Sequence, residues 1–107
     1  KALGQTQGIV TPLRASYSSH VFHQYTLKVE RRDKLKQYLE KEKIPSMIYY
    51  PVPLHLQKAY QRSNYPEGTF QVAEALSKEV ISIPIHTEMT EVHLDYICSK
   101  IIAFYRG

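Results

Sequence analysis

The chain has few of the groups that most directly announce chemistry. Its 107 residues include a single cysteine, Cys98, which excludes an internal disulfide and fits a reducing compartment. No cluster of cysteine and histidine has zinc-like spacing. The five histidines, His20, His23, His55, His86 and His93, are scattered, so a metal site would have to be assembled by the fold. There is no glycine-rich phosphate loop and no Gly-x-Ser-x-Gly elbow. Cys98 falls on the apolar stripe of a predicted helix, which argues against a nucleophilic role. No apolar run approaches the ~20 residues of a membrane span, and no signal-peptide pattern opens the chain.

The aromatic set is skewed. Nine tyrosines stand against three phenylalanines and no tryptophan. A tyrosine keeps a polar tip, so many of these rings are expected at the edge of the core or in an interface. The formal charge of +4 is mildly basic. It suits acidic ligands such as phosphates, but the densest basic stretch, Lys28 to Lys43, is interleaved with acids. That stretch reads as a solvated helix face, and no nucleic-acid partner is expected. The length suits one domain with one core. The chain opens at Lys1 rather than at methionine, and reads as part of something longer.

Periodicity gives a coarse architecture. Residues 1 to 12 are broken up by Gly4, Gly8 and Pro12. The stretch Val21–Val29 alternates as a strand, with Val21, His23, Tyr25, Leu27 and Val29 on one face. Arg31 to Lys43 reads as a helix with Leu35, Tyr38 and Leu39 as its stripe, ended by Pro45. Ser46 to Tyr50 is a second short strand, and Leu54 to Tyr60 a short helix. After a turn-rich loop over 61–68, Thr69 is a candidate cap for a helix through Lys78. Val80 to Ile85 forms the third strand. Thr90 is a candidate cap for a last helix to about Tyr105, whose stripe is Leu94, Ile97, Cys98, Ile101, Ile102 and Tyr105. The sum is an α+β two-layer sandwich: a small, mostly antiparallel three-stranded sheet with helices on one face, forming a single domain over 1–107. Both faces of Val21–Val29 carry large side chains, which leaves the second sheet face available to another domain.

The most distinctive segment is Tyr49-Tyr50-Pro51-Val52-Pro53-Leu54-His55-Leu56-Gln57. Each proline fixes φ, removes a donor and pushes the preceding residue toward extended geometry. The segment is therefore a stiff connector that holds Tyr49, Tyr50 and His55 at set angles. Such loops suit binding sites, because little side-chain entropy is left to lose when a ligand arrives. They also occur as plain crossovers with aromatics packed on a small core. His55 reads equally as a ligand contact or as a histidine hydrogen-bonded at a helix start. His23 reads as a core or interface histidine, and His86, at a strand exit, as a turn residue or a ligand contact. Arg31 and Arg32 open a helix, where their charge opposes the macrodipole, with Asp33 as a local partner.

Five stretches in sequence resemble the C-terminal domain of the DegT/DnrJ/EryC1/StrS family, pyridoxal-phosphate-dependent aminotransferases of nucleotide-linked keto-sugars. They are residues 23–29, Arg32-Asp33-Lys34-Leu35 with Leu39, residues 44–57, Ala73-Glu74-Ala75-Leu76, and residues 81–86. The resemblance implies a larger N-terminal domain that carries the cofactor and its lysine, and a small domain that closes one side of the cleft. It implies a nucleotide-sugar substrate, an amino-acid donor such as glutamate, a homodimer and a cytoplasmic enzyme of polysaccharide or amino-sugar biosynthesis. The family also holds regulators and dehydratases. No catalytic residue is expected in this chain. Tyr50 keeps the family's tyrosine, Tyr49 replaces its usual histidine, and His55 retains its later histidine. Tyr49, Tyr50 and His55 are the expected substrate contacts, with His23 and His86 as further candidates.

Overall fold

The computed structural model describes residues 3–19, 24–60, 64–84 and 88–107. Three strands form one antiparallel sheet in the order β1 (Ile9–Val10), β2 (Tyr25–Val29), β3 (Val80–Ile83). The register pairs Ile9 with Val29, Leu27 with Ile81, and Tyr25 with Ile83. Side chains alternate along a strand, so these six apolar residues share one face. Helices α1 (Arg32–Lys41) and α3 (Glu91–Arg106) cover it. Leu35 and Leu39 from α1 and Ile97 and Ile101 from α3 join Ile9, Leu27, Val29 and Ile81 in a single core, completed by Leu3 and Ile44. Burying an aliphatic side chain of this size contributes about 1.5–3 kcal/mol, and this face is where most of that gain lies. The α+β sandwich expected from the sequence is thus the architecture found.

The opposite face differs from expectation. At Thr26, Lys28 and Ser82 it is polar: the Thr26 and Ser82 hydroxyls meet at 2.8 Å, and Lys28 pairs with Glu79 at 3.3 Å. The expected large residue on that face, Phe22, lies outside the described residues, as do His20, His23 and His86.

Three elements differ from what periodicity predicts. The strand β1 falls in the glycine-broken opening segment, where two residues give no period to detect. The strand expected over 46–50 reduces to one bridge, in which Met47 and Ser82 exchange both backbone bonds at 3.0 and 2.7 Å. The prolines that follow cannot donate to a ladder, so the pairing stops there. The segment 54–60 is two single 3-10 turns, Leu54–Leu56 and Lys58–Tyr60.

Helix ends follow local chemistry. α1 stops before Pro45, in a Schellman turn: Lys43 is left-handed (φ 62), its amide donates to the Glu40 carbonyl, and the Ile44 amide donates to the Leu39 carbonyl at 2.8 Å. Leu39 and Ile44 are both buried, which supplies the apolar contact this turn requires. α3 starts as predicted at Thr90, whose hydroxyl accepts the His93 amide while the His93 ring accepts the Thr90 amide. In its stripe Ile97 and Ile101 are buried, whereas Leu94 stays exposed in the first turn. Helix α2 (Gln71–Glu79) begins after Phe70 rather than after Thr69. Thr69 instead donates its hydroxyl to the Pro66 carbonyl at 2.7 Å. The buried residue of α2 is Ser77, and the apolar side chains Val72 and Leu76 remain exposed.

Candidate functional site

The proline segment crosses beside α2. Pro53 to Gln57 folds into one 3-10 turn, closed by the Leu56 amide on the Pro53 carbonyl (2.9 Å) and the Gln57 amide on the Leu54 carbonyl (3.2 Å). The Gln57 side chain reaches back to the Val52 carbonyl at 3.3 Å. Upstream, the Tyr49 and Tyr50 rings pack edge to face at 5.6 Å across a cis peptide. Tyr50 is 70% exposed and Tyr49 36%. Between these rings, Val52, Leu54 and the Ala73–Leu76 side of α2 lies an open, mainly apolar groove of about 530 Å³. The phenols can each donate or accept one hydrogen bond at its rim, and their faces can stack on a planar group.

His55 does not share their exposure. Its side chain is only 9% exposed. Its Nε2 lies 3.2 Å from Oε2 of Glu74, and its ring meets Phe70 edge to face at 4.8 Å. Phe70 in turn packs on Tyr65. Glu74 also accepts the Gly68 amide (2.8 and 3.0 Å to its two oxygens) and the Phe70 amide (3.1 Å). These bonds take the place of a side-chain cap on α2. The Gly68 amide, followed by the Phe70 amide and the His55 ring, holds the Glu74 carboxyl below its ordinary range, against a partial loss of solvent. The structure therefore brings Tyr49, Tyr50 and His55 onto one segment but gives them different surroundings.

Sequence reasoning missed two residues. Glu74 stands in the first turn of a helix, where an anion is favoured, and that position was its available signal. Arg32 is the other. It does pair with Asp33 (Nε to Oδ1, 2.7 Å), but its Nη1 also donates to the carbonyls of Ser77 (2.6 Å) and Val80 (3.2 Å). At the start of α1 the charge is misplaced; at the end of α2 it meets orphan carbonyls and the negative end of a dipole. Arg31 stacks its guanidinium over the Phe104 and Tyr105 rings at 4.9 and 5.3 Å.

Among the described residues no group of three or more His, Cys, Asp or Glu is placed to hold a metal, and no helix is long and apolar enough to cross a membrane. Fold and site together define a small α+β domain that carries two exposed tyrosines at the rim of an open apolar groove. The family profile described as "DegT/DnrJ/EryC1/StrS aminotransferase family" matches residues 1–102. The chain belongs to this family. It is 42% identical over 98 residues to a "Pleiotropic regulatory protein" of Geobacillus stearothermophilus, covering 92% of this chain and 26% of that protein. It is 40% identical over 78 residues to the dTDP-3-amino-3,4,6-trideoxy-alpha-D-glucose transaminase of Streptomyces venezuelae, covering 73% and 21%. Among solved structures, S. venezuelae DesV in complex with a ketimine intermediate superposes with a TM-score of 0.92 at 30% identity, over 99% of this chain and 29% of that one. A family aminotransferase from Brucella abortus gives 0.86 at 34%, over 99% and 28%. The chain thus spans about a quarter of the length of the relatives it matches.

Pyridoxal phosphate, which the family uses, is not matched by the lining of the tyrosine groove. The Gly68 and Phe70 amides before α2 are taken by Glu74, and the Thr90 and His93 amides at the start of α3 by the capping box. No lysine lines the tyrosine groove. Lys28, Lys36 and Lys100 are ion-paired to Glu79, Glu40 and Glu42.

Proposed function

We propose that this chain is the small C-terminal domain of a pyridoxal-phosphate-dependent enzyme that moves an amino group from an amino acid, glutamate by preference, to a nucleotide-linked keto-sugar. The products are an amino-sugar and a keto acid. The carrying observation is the superposition of nearly the whole chain on DesV, a relative caught with a ketimine intermediate. Supporting it is the name of the S. venezuelae relative, a dTDP-amino-sugar transaminase. The cofactor and its lysine are assigned to a separate, larger N-terminal domain, so the chain alone is inactive. The Tyr49–His55 segment forms one wall of the substrate cleft, with Tyr49 and Tyr50 on the nucleotide-sugar and His55 behind them. His23 and His86 are secondary candidates. A homodimer in the cytoplasm, serving polysaccharide or amino-sugar synthesis, completes the reading.

A second reading is a regulatory domain, favoured by the name of the 42% identical relative; a sugar dehydratase of the same family is the third. The test is to express the complete polypeptide and supply dTDP- and UDP-linked keto-sugars with glutamate. Amine transfer with release of the keto acid is expected. Loss of water from the sugar without amine transfer would select the dehydratase. Ligand binding without turnover would select the regulator.

A further inference from the structure

We propose that Glu74 is a positioning residue that sets the tyrosine-bearing proline segment against α2; this rests on the substrate reading given above. Pro51 and Pro53 have no amide hydrogen, and the bonds that close the turn at Leu56 and Gln57 stay within it. Those bonds shape the segment but do not place it. A hydrogen-bonded tie to α2 passes through His55, which follows the second proline by two residues and points its Nε2 at Glu74. The same carboxylate accepts the Gly68 and Phe70 amides, so one anion joins three pieces of chain: the proline segment, the loop before α2 and α2 itself.

The pair is nearly dry, with the two side chains 9% and 13% exposed. Polar groups withdrawn from water in this way are expensive to leave unmade. Removing the carboxylate costs the Gly68 and Phe70 amides, in exposed bonds, an acceptor that solvent can replace. It strands the enclosed His55 ring nitrogen, and movement of the proline segment returns that nitrogen to water. The phenols of Tyr49 and Tyr50, a few residues upstream on the same stiff segment, would move with it. A shift of about 1 Å in a positioning group is enough to cost ~100-fold in rate. On the reading that Tyr49 and Tyr50 meet the nucleotide-sugar, the effect of Glu74 should fall on the sugar half-reaction rather than on the donor's.

The experiment compares the complete wild-type polypeptide with Glu74→Ala and Glu74→Gln. Two readouts are taken: backbone hydrogen exchange over 51–57, and the two half-reactions measured separately. In Glu74→Ala, exchange at the Leu56 and Gln57 amides should accelerate at least tenfold while β2 and α3 stay protected. Transfer to the keto-sugar should fall about tenfold in kcat/KM. Release of keto acid from the donor in the absence of sugar should stay within twofold of wild type. Glu74→Gln keeps one oxygen for the amides and should recover part of both effects. If Glu74→Ala does not fold, Glu74→Gln carries the comparison, with a smaller loss in the sugar half-reaction alone. Wild-type exchange over 51–57 in the variants overturns the proposal. So does an equal fall in both half-reactions, which is the mark of general destabilisation. A wild-type polypeptide without amine transfer overturns the substrate reading and the positioning role with it, even where exchange shows the latch intact.

Discussion

Arg32 gives the sharpest quantitative prediction. It is 8% exposed, a charged side chain with its guanidinium inside the fold. Nη1 donates to Ser77 and Val80 carbonyls that no intrahelical amide can serve, because α2 ends at Glu79. Hydrogen bonds from a charged donor contribute about 1.5–3 kcal/mol each, and a buried acceptor left unmatched costs about 1–3 kcal/mol. The longer contact, 3.2 Å to Val80, belongs at the low end. The exposed Asp33 pair adds under about 1 kcal/mol. Truncation in Arg32→Ala should therefore destabilise by about 3 kcal/mol. Part of the loss is recovered because Ala is a good helix former and the unfavourable charge at the start of α1 is gone. Arg32→Lys should keep one of the two carbonyl contacts and lose about half as much. The measurement is urea unfolding followed by circular dichroism. With a slope of about 1.5 kcal/mol/M, the midpoint of Arg32→Ala should drop by about 2 M. A loss below about 1 kcal/mol, or a lysine variant no better than alanine, would refute the capping role assigned to Arg32.

Three other outcomes are expected. In the complete enzyme, His55→Ala should lower turnover of the keto-sugar at least several-fold with the fold intact by circular dichroism; unchanged kinetics would remove His55 from the site. Burial, above the opposing effect of Arg31, pushes the Tyr105 phenol up to about 12 from 10.0. A raised pKa means the folded state holds the proton more tightly, so the stability it contributes is complete below about pH 10 and is lost as pH rises toward about 12. Stability measured from about pH 9 to 12 should fall more steeply for wild type than for Tyr105→Phe, and parallel curves would contradict this. Leu54 and Val72 are 63% and 74% exposed beside the tyrosine groove, an apolar surface that suits a partner. The chain should bind a hydrophobic dye or dimerise, and Leu54→Ser with Val72→Ser should weaken both; a dye-silent monomer would deny the surface a docking role.

Where one physical rule acts over many residues, the sequence was a good guide. α3 was legible because its stripe repeats at helical spacing and Thr90 carries its own capping chemistry. β2 was legible from its alternating apolar residues and β3 from a compact apolar run. Five spaced stretches were enough to point to the family. β1 was hidden, because a two-residue strand has no period and exists only through its pairing with Lys28 and Val29 on β2. The start of α2 was misread because Thr69 looked like a cap, while the amides of Gly68 and Phe70 were taken by the Glu74 carboxylate further along the chain.

What the residues determined alone was local: helix stripes, strand alternation and helix-end chemistry. Tertiary structure decided which long-range partners met. It carried Arg32 across to the end of α2 and Glu74 across to His55, and left Tyr49 and Tyr50 at the rim of a groove while their neighbour His55 was enclosed. Those outcomes depend on contacts between residues 19 and 45 or more positions apart. A charge or a ring has the same local sequence signature whether it ends in water or against a distant carbonyl, so only the fold could separate the two.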